Sequence, residues 1–141
     1  MVDATTESKR IVNAYVDVWN ERTYPSIPDV VSESFVMYDP AAPEGEVHGR
    51  DGLETFIRNV VTAFPDFEVS VGDMLSSDGL VMYDATITMT HEGAFGGIGP
   101  TGREVEIDEM SKFRVSNGKI REHRVYFDQQ DVLEQLGVTS E

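Results

Sequence analysis

The sequence predicts an α+β fold in which helices come first and one curved sheet follows. Three observations carry this. Apolar residues recur at helical spacing over residues 6–20 and again over 51–64. From residue 67 onward the period falls to two, giving four stretches that alternate apolar and polar side chains. Two of those stretches are joined by Ser116-Asn117-Gly118, and Asn-Gly between strand patterns marks a tight antiparallel turn. Helices followed by a strand meander pack as one sheet against helices rather than as alternating β-α units.

Ile11, Val12, Tyr15, Val16, Val18 and Trp19 form the stripe of the first helix. Ile27, Val30 and Val31 fit a short second helix after Pro25. A strand is expected over 34–39, and Pro40-Ala41-Ala42-Pro43-Glu44-Gly45 reads as a loop. Asp51, with Glu54 three residues on, matches a capping box that opens the third helix. That helix buries Leu53, Phe56, Ile57, Val60, Val61 and Phe64 before Pro65 stops it. The later strands are expected at about 67–74, 80–91, 103–115 and 119–127, separated by Ser76-Ser77-Asp78-Gly79, by the run Gly93 to Gly102 and by Asn117-Gly118. A helical turn over 130–136 ends at Gly137, suited to a left-handed C-cap.

With 141 residues, the chain is expected to be a single domain over 1–141 with a core that needs no cross-links. The absence of cysteine excludes a disulfide framework, a zinc-thiolate site and a cysteine nucleophile. No apolar run reaches spanning length, and Met1-Val2-Asp3-Ala4 does not open a secretory signal, so a cytoplasmic protein outside the membrane is expected. The net charge is −15, from 26 acids and 11 bases of which three are lysines. The acids are scattered, which suits a solubilising, halophile-like surface, and no basic stripe exists to bind nucleic acid. His48, His91 and His123 show no i, i+4 pair, so neither a metal nor another cofactor is expected.

Strand alternation then assigns faces. Asp39 follows Phe35 and Met37 on the apolar parity, Glu109 lies among Val105, Ile107, Phe113 and Val115, and His91 continues the parity of Val81, Tyr83, Ala85, Ile87 and Met89. His123 shares its parity with Val125 and Phe127, and Tyr15 lies within the first helical stripe. Buried ionised acids are costly, so each such group needs a partner, a raised pKa or a task. A satisfied core histidine, a turn-capping Asp39 before Pro40, and a Glu109 paired with Lys112 or Arg114 are the structural alternatives. Five inward polar groups exceed what a plain core needs. Gly93-Ala94-Phe95-Gly96-Gly97-Ile98-Gly99 precedes no helix, which predicts a flexible pocket rim rather than a phosphate-binding turn.

Over roughly residues 10–137 the chain resembles the SnoaL-like polyketide cyclases of the nuclear-transport-factor-2-like superfamily. The stretch Thr90 to Arg103 carries the resemblance, with Lys112-Phe113-Arg114, Asn117 to His123 and Gln135-Leu136-Gly137. The resemblance implies a cone-shaped fold, a curved antiparallel sheet packed around N-terminal helices. Tyr38-Asp39-Pro40 is similar to the catalytic Asp-Pro of ketosteroid isomerases in the same superfamily. Tyr15 falls where those enzymes place an oxyanion-hole tyrosine, and Glu109 where they place a protonated aspartic acid. SnoaL-like cyclases usually carry Glu-His-Trp-Asp near the last strand; here it reads Glu122-His123-Arg124-Val125, so that acid/base aspartate is replaced.

The expected function is acid/base chemistry next to a carbonyl, of isomerase or cyclase type, on a small apolar ligand. Asp39, Tyr15 and Glu109 are the candidate catalytic residues, and Trp19, Phe56, His91, Phe113 and His123 the candidate substrate contacts. A non-catalytic ligand-binding module, and dehydratase or epoxide-hydrolase chemistry using a histidine with an acid, are the alternatives. A homodimer through the outer sheet face is also expected, from the threonines, Arg124 and Tyr126 on the parity opposite the pocket.

Overall fold

The computed structural model describes residues 4–138. Met1-Val2-Asp3, read above for a leader, lies outside the described residues. Helix α1 (Ala4–Glu21) is followed by a one-turn α2 (Ile27–Val30), strand β1 (Val31–Tyr38), a short β2 (Glu46–His48) and helix α3 (Gly49–Ala63). Strands β3 (Glu68–Ser77), β4 (Leu80–Thr90), β5 (Glu104–Ser116) and β6 (Lys119–Tyr126) form a meander, and α4 (Gln129–Gln135) ends it. The six strands make one curved, unclosed sheet in the order β2-β1-β6-β5-β4-β3. Helix α1 packs on β3 and β4, and α3 packs on β1 and β2, so the sheet curls around both helices.

The sheet is mixed, which corrects the antiparallel expectation: β1 runs parallel to β6, with Met37 opposite His123 and Tyr38 opposite Arg124. This pairing brings Asp39, at the end of β1, beside the last strand. Val31 opens β1 opposite Ile120 instead of ending α2, since a fully buried β-branched residue fits the ladder better. Strand β2, which the sequence reading did not assign, follows the expected loop and pairs Val47 with Met37. The capping box does not form. Gly49 at φ +74° turns the chain into α3 two residues early, His48 sits at the N-cap without a side-chain bond, and Glu54 pairs with Arg58 at 2.9 Å. Asp51 then lies in the first turn, where it complements the helix dipole. Val61 is half-buried rather than core.

The β5–β6 hairpin forms at Asn117-Gly118, both at positive φ, as a type I′ turn requires. The inner face of the meander alternates cleanly: Val81, Tyr83, Ala85, Ile87 and Met89 of β4 are buried, and so are Val105, Ile107, Glu109, Ser111 and Phe113 of β5. No helix among the described residues is long and apolar enough to cross a membrane.

Candidate active site

Between the sheet and the helices lies a pocket with two lobes that share Trp19, Asp39, Phe67, Ile87 and Glu109. The outer lobe spans about 680 Å³ and the inner about 320 Å³, both including space open to solvent. Phe56, Phe64, Met89 and Phe95 wall the outer lobe, and Val132 and Leu133 of α4 cover it. The inner lobe adds Tyr15, Tyr83, His123 and Val125. Among the described residues no lysine or arginine lines either lobe.

Asp39 is buried just past β1. Its Oδ1 accepts the Ala41 N–H at 2.8 Å, the Asx turn expected before a Pro-led loop. Burial pushes its carboxyl up to about 6, against the pull of that backbone hydrogen bond. Glu109 enters from mid-β5, opposite Ala85, and burial followed by the nearby Asp39 charge raises it to about 7. Hydrogen bonds from Ser111 and Tyr83 act the other way. Neither Lys112 nor Arg114 reaches Glu109: Arg114 pairs with Glu122 at 3.7 Å, and Lys112 sits opposite Met82 and Arg124 across the sheet.

Tyr15 projects from α1 into the inner lobe, fully buried, and its hydroxyl meets His123 Nδ1 at 2.9 Å. Burial pushes the phenol far above its ordinary value. The same effect holds His123 down at about 3, so its imidazole is neutral. His123 Nε2 meets Ser111 Oγ at 2.9 Å, and the Ser111 hydroxyl donates to Glu109 Oε1 at 3.4 Å. Phe113 stacks flat on the His123 ring with centroids 4.0 Å apart, and fixes its plane.

Of the eight residues singled out from the sequence, six line the pocket: Tyr15, Trp19, Asp39, Phe56, Glu109 and His123. Phe113 sits one layer behind, under His123 and Tyr15. His91 lines neither lobe. It lies past the end of β4, where its Nδ1 accepts the Thr101 N–H at 3.2 Å and meets Thr101 Oγ1 at 3.0 Å. It packs tilted against Phe64, and among the described residues its Nε2 finds no hydrogen-bond partner. The glycine-rich stretch does reach the rim, through Phe95. Ser111 and Tyr83 carry no functional mark in the sequence although both occupy the apolar parity, because a serine and a tyrosine on such a face read as ordinary packing. Asp128, the other acid near the last strand, caps α4 by accepting the Asp131 N–H.

Residues 9–136 match the family of SnoaL-like polyketide cyclases. The chain belongs to that family. Among solved structures it is similar to AclR, a candidate hydroxylase of Streptomyces galilaeus, at 27% identity and TM-score 0.81, over 98% of this chain and 85% of that one. It is similar to IdmH, a candidate polyketide cyclase of Streptomyces antibioticus, at 26% identity and TM-score 0.80, over 93% and 99% of the two chains. An LEH-like epoxide hydrolase of Mycobacterium tuberculosis shares the fold, with TM-score 0.76 at 19% identity over 95% and 92% of the chains. No curated protein matches. This SnoaL-like fold is one that small-molecule enzymes use. Val125, read from the sequence as replacing an expected acid/base aspartate, faces the inner lobe as a buried apolar wall.

Proposed function

We propose that this SnoaL-like protein is an enzyme of isomerase or cyclase type that removes a proton next to a carbonyl of a small apolar substrate. Asp39 is the base. It takes the proton from carbon, the electron pair moves onto the carbonyl oxygen, and Tyr15 and neutral Glu109 stabilise the resulting enolate. The observation that carries this is the pair of buried carboxyls facing one apolar pocket that no cation lines. Their values are raised to about 6 and about 7, so near neutral pH one can act as base while the other keeps its proton. The walls of Trp19, Phe56 and Phe67 suit a flat, ring-bearing ligand. Among the described residues no arginine lines the pocket, so they supply no Asp-Arg-Asp arrangement for opening epoxides there.

The test is deuterium uptake from D2O at the carbon beside the carbonyl of apolar aromatic ketones, read by mass spectrometry. Exchange above the buffer rate that Asp39→Asn loses supports the proposal. A rate equal to buffer across a panel of such ketones overturns it and leaves a binding module.

A further inference from the structure

Four polar side chains from three elements form an unbroken line beneath the inner lobe. Tyr15 of α1 meets His123 of β6 at 2.9 Å, His123 meets Ser111 of β5 at 2.9 Å, and Ser111 meets Glu109 of the same strand at 3.4 Å. Ser111 and His123 are almost wholly buried, so water does not substitute for either link. Ser111 lines neither lobe, which sets it apart from a nucleophile. A neutral imidazole donates from one nitrogen and accepts at the other, so a continuous line through these four groups runs in one of two polarities, with the Tyr83 hydroxyl as a side partner of Ser111 and Glu109.

We infer that Glu109, Ser111, His123 and Tyr15 form a buried proton wire that delivers the Glu109 proton to a ligand oxygen held at the Tyr15 hydroxyl. The wire rests on the proposed reaction for the position of that oxygen, and it refines the part of Glu109: Tyr15 touches the ligand, and Glu109 stands behind it as the proton store. When Glu109 is protonated, it donates to Ser111 Oγ, Ser111 donates to His123 Nε2, and the Nδ1–H donates to the Tyr15 oxygen. The Tyr15 proton is then free for the pocket. As an enolate oxygen takes that proton, the Nδ1–H moves to Tyr15, the Ser111 proton to Nε2, and the Glu109 proton to Ser111. Each of the four breaks one bond to hydrogen and all but Glu109 form a new one; the ligand gains one proton, Glu109 is left as a carboxylate, and the imidazole has changed tautomer. In the opposite polarity Tyr15 donates to Nδ1 and is closed to the ligand.

His123 and Ser111 are positioning residues in this scheme. The titratable groups facing Glu109 are Asp39 after β1, Tyr83 of β4, Tyr15 of α1 and His123 of β6. Of these, only Asp39 changes charge near neutrality in the same window, by its value of about 6.

The experiment is 15N NMR of histidine side chains in the ligand-free protein between pH 5 and 9, with the His123 signals identified by their loss in His123→Asn. The wire requires His123 to be the Nδ1–H tautomer at the acid end and the Nε2–H tautomer at the basic end. The change follows Glu109, whose value is about 7. In Ser111→Ala and in Glu109→Gln the tautomer no longer changes with pH. A single tautomer throughout in the wild type overturns the wire, as does a change that persists in Ser111→Ala. No substrate is present, so this failure is distinct from absence of ketone exchange, which would overturn the reaction instead.

Discussion

At Asp39 a single carboxyl caps a turn and faces an apolar pocket, and the two roles act on its charge in opposite directions. The turn N–H favours the carboxylate, while burial disfavours it and prevails. The folded value of about 6 lies above the ordinary 3.8, so the stability linked to this group is fully present below pH 4 and is lost as pH rises through about 6. Asp39→Asn keeps the acceptor for Ala41 and removes the buried charge. It is expected to raise stability at pH 8 by on the order of 2 kcal/mol and to change it little at pH 4. Thermal melts at the two pH values check this. Catalysis needs Asp39 ionised and Glu109 protonated, so kcat/KM is expected to be bell-shaped with apparent limbs near about 6 and about 7. Tyr15→Phe is expected to lower kcat by about 10²–10³-fold, the scale of one lost oxyanion donor. Asp39, Glu109, Tyr15 and His123 were legible because strand parity and helical spacing alone point them inward. His91 obeys the same parity and is fully buried, but it is taken up by Phe64 and Thr101 instead of lining either lobe, which parity alone does not reveal.

Elements set which of those residues meet. The β1–β6 pairing is parallel and joins segments nearly ninety residues apart, so no local pattern reveals it, yet it puts Met37 opposite His123. The meander was legible because each link is a short antiparallel turn with its own signature, as at Asn117-Gly118. Helix α4 is held over the pocket by Gln135, whose Oε1 accepts the Glu106 N–H at 2.9 Å and whose Nε2 donates to the Glu106 carbonyl at 2.9 Å. Gln135→Ala is expected to cost about 1 kcal/mol of stability, to speed amide exchange over residues 129–135 and to weaken ligand binding several-fold. At the opposite rim Gly93 packs against the end of α3, where an added Cβ would meet the Thr62 carbonyl oxygen at 2.5 Å. Gly93→Ala is expected to destabilise by about 1–3 kcal/mol through the forced shift, visible as a lower Tm.

For the whole molecule, charge and surface pattern decide assembly. Met82 of β4, Met110 of β5 and Tyr126 of β6 are exposed on the outer sheet face, 42%, 53% and 55% respectively, with Met110 opposite Tyr126. We propose that two copies pair through this face. At −15 per chain, like-charge repulsion opposes the pairing, so light scattering is expected to give a dimer in high salt and a larger monomer fraction in dilute buffer. A monomer at micromolar concentration in both would rule the dimer out. Buried titrations shape stability on both sides of neutrality. Asp39 and Glu109 withdraw stability as pH rises toward about 7, and His123, held at about 3 against an ordinary 6.5, withdraws it as pH falls below 6.5. The proposed chemistry rests on two carboxyls whose titration is lifted by burial in one pocket above the ordinary carboxylate range. The most direct measurement is a carboxyl 13C NMR titration, with signals identified by Asp39→Asn and Glu109→Gln. The prediction is two carboxyls titrating near about 6 and about 7, with the Glu109 value falling when Asp39 is neutralised. Both titrating below pH 5 would contradict it.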